Sequence, residues 1–143
     1  MEEMEHRVWQ RVMAERDPEK NSGLKALAMD SMEAAQRYKK MAAGSSGKGR
    51  ELAGNLWEAE RKILHVLKGL YFLQEGERLR CPPLPQPECS GEKGKIRCYY
   101  SARRTYTEYL SRAAEPDWGV VFQSLAEMQK RQCVQLAQLM GME

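Results

Sequence analysis

The chain has 143 residues, 30% of them charged, and a formal net charge of +3. This length fits one domain with a buried core. Acidic and basic residues are interleaved, which argues against nucleic-acid binding, and the most apolar stretch, Ile63–Leu73, is too short to span a bilayer. The acidic start MEEMEHR is unlike a signal peptide, so we expect a cytoplasmic protein that binds neither nucleic acid nor a membrane.

The apolar periodicity predicts an all-α chain. A short amphipathic lead helix is predicted over Met1–Arg16, so that residues 1–22 form this helix and a linker, and residues 23–143 form the main bundle. The four bundle helices are predicted over Gly23–Ala43, Gly49–Gln74, Ile96–Ala114 and Trp118–Met140. Short turns join the first and second and the third and fourth, whereas a long linker with four prolines in CPPLPQPEC joins the second to the third.

The first predicted helix pair resembles the second. The matched segments are Ala28–Ala43 with Tyr99–Ala114, and Asn55–Leu70 with Ser124–Leu139. Tyr38 aligns with Tyr109, 71 residues further on, and Leu56 aligns with Leu125, 69 residues further on. A helix pair that occurs twice predicts a four-helix bundle of two antiparallel hairpins joined by a long crossover.

Alternating steps of three and four residues give the inward positions of each helix. They are Leu24, Leu27, Ser31, Ala34, Tyr38 and Met41; Ala53, Leu56, Glu60, Ile63, Leu67 and Leu70; Tyr99, Ala102, Tyr106, Tyr109 and Ala113; and Trp118, Phe122, Leu125, Gln129, Gln132, Leu136 and Leu139. The polar exceptions occur at matching heights and are Ser31, Glu60, Gln129 and Gln132.

Buried polar groups need partners, so this pattern predicts a hydrogen-bonded layer. In it Glu60 accepts hydrogen bonds from Ser31, Gln129 or Gln132, and burial raises its pKa. In the alternative arrangement the inward face is tilted, and these polar groups touch water at its edge.

The repeat, the tyrosines Tyr38 and Tyr109, the alanines after them and the long crossover resemble the ferritin-like superfamily, and within it the rubrerythrin-like bundles. The resemblance covers about residues 23–141. It implies a bundle of two helix hairpins whose core holds two iron or manganese ions. The implied ligands are a carboxylate seven residues before each of these tyrosines, and a Glu-x-x-His pair on the second and fourth helices.

Carried over to this chain, the implied ligand pattern retains one of six positions. The six positions are occupied by Ser31, Ala102, Glu60, Ile63, Gln129 and Gln132. Two divalent cations need several carboxylates and histidines, which neutral or apolar side chains do not replace. We therefore expect a vestigial layer without metal or other cofactor, in a non-catalytic protein that acts through protein contacts, as a homodimer or with a partner.

A metal-binding ferritin-like oxidoreductase with an atypical ligand set is the alternative hypothesis. It would bind iron or manganese through side chains among Asp30, Glu33, Glu58, Glu60, His65 and Glu127. Glu33 and Glu58 each lie two residues from an expected position, and two residues rotate a helical side chain by about 200° away from the inward face. His65 is predicted to lie at the surface or rim.

The chain has four cysteines: Cys81, Cys89, Cys98 and Cys133. Zinc sites usually use cysteine pairs two to four residues apart, and these spacings are wider. We therefore expect ordinary thiols that are mostly free.

Overall fold

In a computed structural model of the chain, the described residues are 18–80 and 91–141, with side chains described from residue 23 onwards. They contain four helices and no strand, which confirms the all-α class. The helices are α1 (Pro18–Ala43), α2 (Gly47–Glu75), α3 (Gly91–Ala113) and α4 (Gly119–Leu139). The predicted lead helix over Met1–Arg16, and Cys81 and Cys89, lie outside the described residues.

Two helices begin earlier than predicted. Both α1 and α3 start five residues before the predicted position, at Pro18 and Gly91. The fixed φ of proline suits the first turn of a helix, which explains the start of α1. Gly91 and Gly94 suggested a linker because glycine disfavours helix, yet Gly94 is buried in the first turns of α3. The remaining helix ends lie within two residues of their predicted positions.

Glycine sets two of the helix boundaries. At the end of α2, Gly76 adopts a left-handed conformation with φ of 75°, and its N–H donates to the Phe72 carbonyl oxygen at 2.8 Å. At the start of α4, a Cβ on Gly119 would lie 2.9 Å from the Ala113 carbonyl oxygen. Only a residue without a side chain therefore permits the close turn between α3 and α4.

The helices pack as two hairpins, α1 with α2 and α3 with α4. The hairpins meet mainly through α2 and α4, whereas α1 and α3 contact each other through far fewer residues. Gly23 lies beside Arg112 and Gly49 beside Leu139, so α1–α3 and α2–α4 are also antiparallel neighbours. It follows that α2 ends and α3 begins at opposite ends of the bundle.

The apolar core consists of two clusters. One contains Leu24, Leu27, Ala28, Ile63, Leu67, Leu70, Tyr109, Phe122, Leu125 and Ala126. The other contains Tyr38, Met41, Ala53, Leu56, Cys98, Ala102 and Leu136. The first cluster occupies the end of the bundle where α1 and α4 begin, and the second occupies the end where they finish.

The predicted inward positions of α2 are all buried. On α3 the prediction needs a correction, because Cys98 is buried where Tyr99 was predicted, and Tyr99 and Tyr106 are only partly buried. The smaller Cys98 fits between the helices, while the two larger rings pack against the edges of the apolar clusters. Ala34 on α1 is likewise partly buried.

Leu67→Ala should destabilise the protein by about 2–5 kcal/mol, because this fully buried side chain leaves a cavity when it is truncated. Urea unfolding measures the change. Lys68→Ala, the exposed neighbour on the same helix, is the control and should change stability by less than about 0.5 kcal/mol. Equal effects of the two substitutions would contradict the assignment of the buried face of α2.

Candidate functional site

The buried polar side chains of the described residues all lie in one layer across the bundle. They are Ser31 on α1, Glu60 on α2, and Gln129 and Gln132 on α4, each at most 3% exposed. These are the four positions that the sequence predicts as polar exceptions. Along the helices they lie between the two apolar clusters, so the layer separates one cluster from the other.

Ser31 and Glu60 form the first contact of the layer. The Ser31 hydroxyl donates to Glu60 Oε2 at 2.5 Å, and it lies 3.4 Å from the Glu60 carbonyl oxygen. This bond joins α1 to α2 within the first hairpin. It confirms one of the three hydrogen-bond partners predicted for Glu60.

Gln129 bonds elsewhere than predicted, whereas Gln132 has a further partner besides its predicted contact with Glu60. Gln132 Oε1 accepts the Tyr38 hydroxyl at 3.2 Å, and Gln129 Nε2 donates to the Ala102 carbonyl oxygen at 3.3 Å. Gln132 Nε2 has no partner of hydrogen-bond geometry among the described residues, although it lies close enough to Glu60 to favour the carboxylate form. The Tyr38–Gln132 bond links α1 to α4 and therefore joins the two hairpins.

Burial raises the pKa of Glu60 to about 7, as the sequence predicts. The Ser31 hydroxyl and then the Gln132 amide oppose this rise, and the nearby Asp30 carboxylate adds a small further rise. Burial and the Glu60 charge also raise the pKa values of Tyr38 and Tyr109. Both phenols therefore keep their protons and remain hydrogen-bond donors.

Tyr109 also borders this layer, although its spacing predicts only an inward packing position. Its hydroxyl is buried and has no partner among the described residues. In the repeat, Tyr109 corresponds to Tyr38, and the partner of Tyr38, Gln132, corresponds to Ile63. An isoleucine accepts no hydrogen bond, so the second tyrosine lacks the bond that the first one makes.

The side-chain carbonyl oxygen of Gln129 likewise lacks the hydrogen bond that its counterpart in the first hairpin makes. Gln129 corresponds to Glu60, whose carboxylate accepts the Ser31 hydroxyl, and Ser31 corresponds to Ala102. Ala102 has no hydroxyl, and Gln129 Oε1 is buried with no partner among the described residues. Comparison of the equivalent positions in the two halves of the repeat therefore identifies both unpaired atoms.

A small cavity of about 10 Å³ lies in this layer, lined by Ser31, Tyr38, Glu60, Tyr109 and Gln129 together with residues of α1 and α3. Outside it, a groove of about 670 Å³ runs between α1 and α3. The groove is lined by charged side chains, some of them paired along their own helix. These pairs are Arg37 with Glu33 at 2.5 Å and Arg112 with Glu108 at 2.9 Å.

Of the atypical ligands of the alternative hypothesis, Asp30 and Glu60 both line the cavity, and the other four do not. Glu58, His65 and Glu127 are exposed, as expected for His65, and Glu33 pairs with Arg37. Within residues 18–80 and 91–141, no three side chains among His, Cys, Asp and Glu are close enough together to hold a metal ion. The residues at the centre of the bundle thus do not fit a dimetal group, which needs more than one carboxylate.

The described cysteines are free thiols. Cys98 is buried beside the cavity, and Cys133 is half-buried on α4. Burial raises the pKa of Cys133, which keeps its thiol protonated and poorly nucleophilic.

No protein-family model matches this chain, and neither does any curated protein or solved structure. In the described part of the chain, no helix combines the length and the apolar character needed to cross a bilayer.

The stability should fall as pH rises from about 4.5 to 7 because Glu60 is buried. In this interval the unfolded chain releases the proton of Glu60, whose ordinary pKa is 4.5, while the folded chain retains it. Above pH 7 the burial of Glu60 therefore lowers the free energy of unfolding by about 3 kcal/mol, and below pH 4.5 this effect disappears. Urea unfolding of the wild type and of Glu60→Gln across this range measures the effect.

The comparison with Glu60→Gln isolates this carboxylate from Asp30, whose pKa burial also raises and which titrates in both proteins. The stability of the variant relative to the wild type should increase by about 3 kcal/mol between pH 4.5 and 8. A difference that stays constant with pH would show that Glu60 does not titrate in a buried layer.

Proposed function

We propose that this protein is a non-catalytic bundle of the ferritin-like, rubrerythrin-like kind that has lost its dimetal ligands and acts through protein contacts. The observation that supports the proposal is the composition of the central layer. Glu60 is the one carboxylate among the buried polar side chains of the described residues, and Ser31, Gln129 and Gln132 are neutral. Hydrogen bonds therefore connect the helices at the centre of the bundle.

The chain connectivity also supports this assignment. Because α2 ends and α3 begins at opposite ends of the bundle, residues 76–90 connect one end to the other. Two antiparallel hairpins with one such long connection are typical of ferritin-like bundles. The positions equivalent in the repeat also lie at one height, since the Ser31–Glu60 bond and the Gln129–Ala102 bond occur in the same layer.

The size of the central cavity argues against catalysis within the polar layer itself. Substrate pockets usually have volumes of roughly 300–1,000 Å³. The cavity beside Glu60 measures about 10 Å³ and admits no organic substrate. The phenol groups that line it, those of Tyr38 and Tyr109, are protonated and are not nucleophiles.

Exposed apolar side chains at one end of the bundle support a role in protein contacts. Phe72 and Leu73 near the end of α2 are 50% and 68% exposed, Leu110 near the end of α3 is 45% exposed, and Val120 at the start of α4 is 84% exposed. These helix ends lie at the same end of the bundle, where α1 begins. The other exposed large apolar side chains of the described residues, Ile96, Tyr100 and Val134, lie towards the opposite end, so this end carries four of the seven and is the candidate contact surface.

Protein purified from cells grown with added iron and manganese should contain no stoichiometric amount of either metal, because one carboxylate cannot hold two divalent cations. Elemental analysis measures the content. A variant with the implied ligands restored serves as positive control and should bind two ions per chain. Its substitutions are Ser31→Glu, Ile63→His, Ala102→Glu, Gln129→Glu and Gln132→His.

Two equivalents of iron or manganese in the wild type would favour the metal-binding oxidoreductase instead. A restored variant that folds but binds no metal would contradict the ferritin-like arrangement of these positions. The metal content of the wild type thus tests the loss of the dimetal ligands, and the metal content of the restored variant tests the ferritin-like arrangement.

Self-association through the apolar end can be measured by light scattering during gel filtration. The wild type should form a dimer, and the double variant Phe72→Ser with Val120→Ser should be monomeric, because it loses apolar contact area. Val134→Ser, on an exposed residue of α4 away from this end, is the control and should behave as the wild type. A wild type that stays monomeric at every concentration would contradict contact with a second copy.

A further inference from the structure

We propose that the cavity beside Glu60 binds one water molecule, held by the Tyr109 hydroxyl, by Gln129 Oε1 and by the Glu60 carboxyl group. All three residues line this cavity, and its volume of about 10 Å³ is close to the least that accommodates a water molecule. The site is independent of the proposed function, since it depends only on the polar layer.

The chemistry of the lining atoms matches the hydrogen bonds of a water molecule. Tyr109 is fully buried, and its hydroxyl is a donor without a partner among the described residues. Gln129 Oε1, on a side chain 2% exposed, is an acceptor in the same situation. A water molecule accepts from Tyr109 and donates to Gln129 and to Glu60, which gives the three hydrogen bonds that a buried water typically makes.

Other occupants fit this cavity less well. An apolar molecule would leave the Tyr109 and Gln129 groups unpaired. A cation would find the carboxyl groups of Glu60 and Asp30 with the Arg37 guanidinium beside them, and no group of three potential metal ligands exists among the described residues. A neutral molecule of the smallest size, with both donors and acceptors, is the occupant that the atoms favour.

The groove between α1 and α3 supplies a route for exchange with solvent. Asp30, Arg37, Ser101 and Thr105 line both the cavity and the groove. Ser101 and Thr105 are half-buried, so they separate the two spaces with one layer of side chains. Water reaches Glu60 from this side, where the helices contact each other through few residues.

Tyr109→Phe tests the site because it removes one hydrogen-bonding group and keeps the ring. Tyr106→Phe, on the next turn of the same helix but outside the cavity lining, is the matched control. Crystal structures at high resolution should show a density peak within about 3 Å of the three polar atoms in the wild type and in Tyr106→Phe. Magnetic relaxation dispersion of the water signal should show one fewer long-lived water in Tyr109→Phe.

The urea midpoint also distinguishes a cavity that holds water from an empty one, because the two cases predict opposite changes. If the Tyr109 hydroxyl binds water, Tyr109→Phe should lower the urea midpoint more than Tyr106→Phe does. If the hydroxyl is unpaired, its removal should raise the midpoint, which would overturn the proposal. A density peak with contacts of about 2.0–2.6 Å, or a midpoint that rises with a particular cation, would assign an ion and overturn it as well.

Ala102→Ser provides an independent variant that adds a hydroxyl to the cavity wall without removing a ring. The new hydroxyl corresponds to that of Ser31 in the other hairpin and can donate to Gln129 Oε1. We expect it to displace the water, with loss of the density peak and of the long-lived water signal. Retention of that signal in Ala102→Ser would place the water elsewhere and overturn the proposal.

Discussion

The structure is constrained most strongly by a single carboxyl group at the centre of four packed helices. Glu60 is 2% exposed, and no cationic side chain among the described residues offsets its charge, which is opposed by burial and supported by hydrogen bonds. Each neighbouring helix contributes to this environment: Ser31 from α1, Tyr109 from α3 and Gln132 from α4. The polar layer is the arrangement that lets this group remain inside.

The two hairpins have related sequences but unequal roles. In the first, Ser31 meets a carboxylate, and in the second, Ala102 offers only a backbone carbonyl to Gln129. Between the hairpins, Gln132 accepts the Tyr38 hydroxyl, and its amide also favours the Glu60 carboxylate. The repeat therefore explains both the shared fold and the places where polar atoms lack partners.

Apolar spacing alone predicted the helices and the buried face of α2, because a helix that packs on two neighbours needs a continuous apolar stripe. It failed at the start of α3, where Tyr99 and Cys98 are adjacent and both apolar enough to be buried, so that spacing alone did not choose between them. The burial of Glu60 and its raised pKa followed from its position. The partners of Gln129 and Gln132 did not, because they depend on distances between helices that periodicity does not contain.

The separation of the apolar core into two clusters by the polar layer has a consequence for assembly. If one hairpin slid along the other by a helical turn, Glu60 would face leucines, and Tyr38 would move away from Gln132. Glu60 would keep its Ser31 bond within the first hairpin but lose the Gln132 amide, and each buried polar group left without a partner costs free energy. The layer thus sets the register of one hairpin against the other, and it selects one alignment among several that leucine packing alone would tolerate.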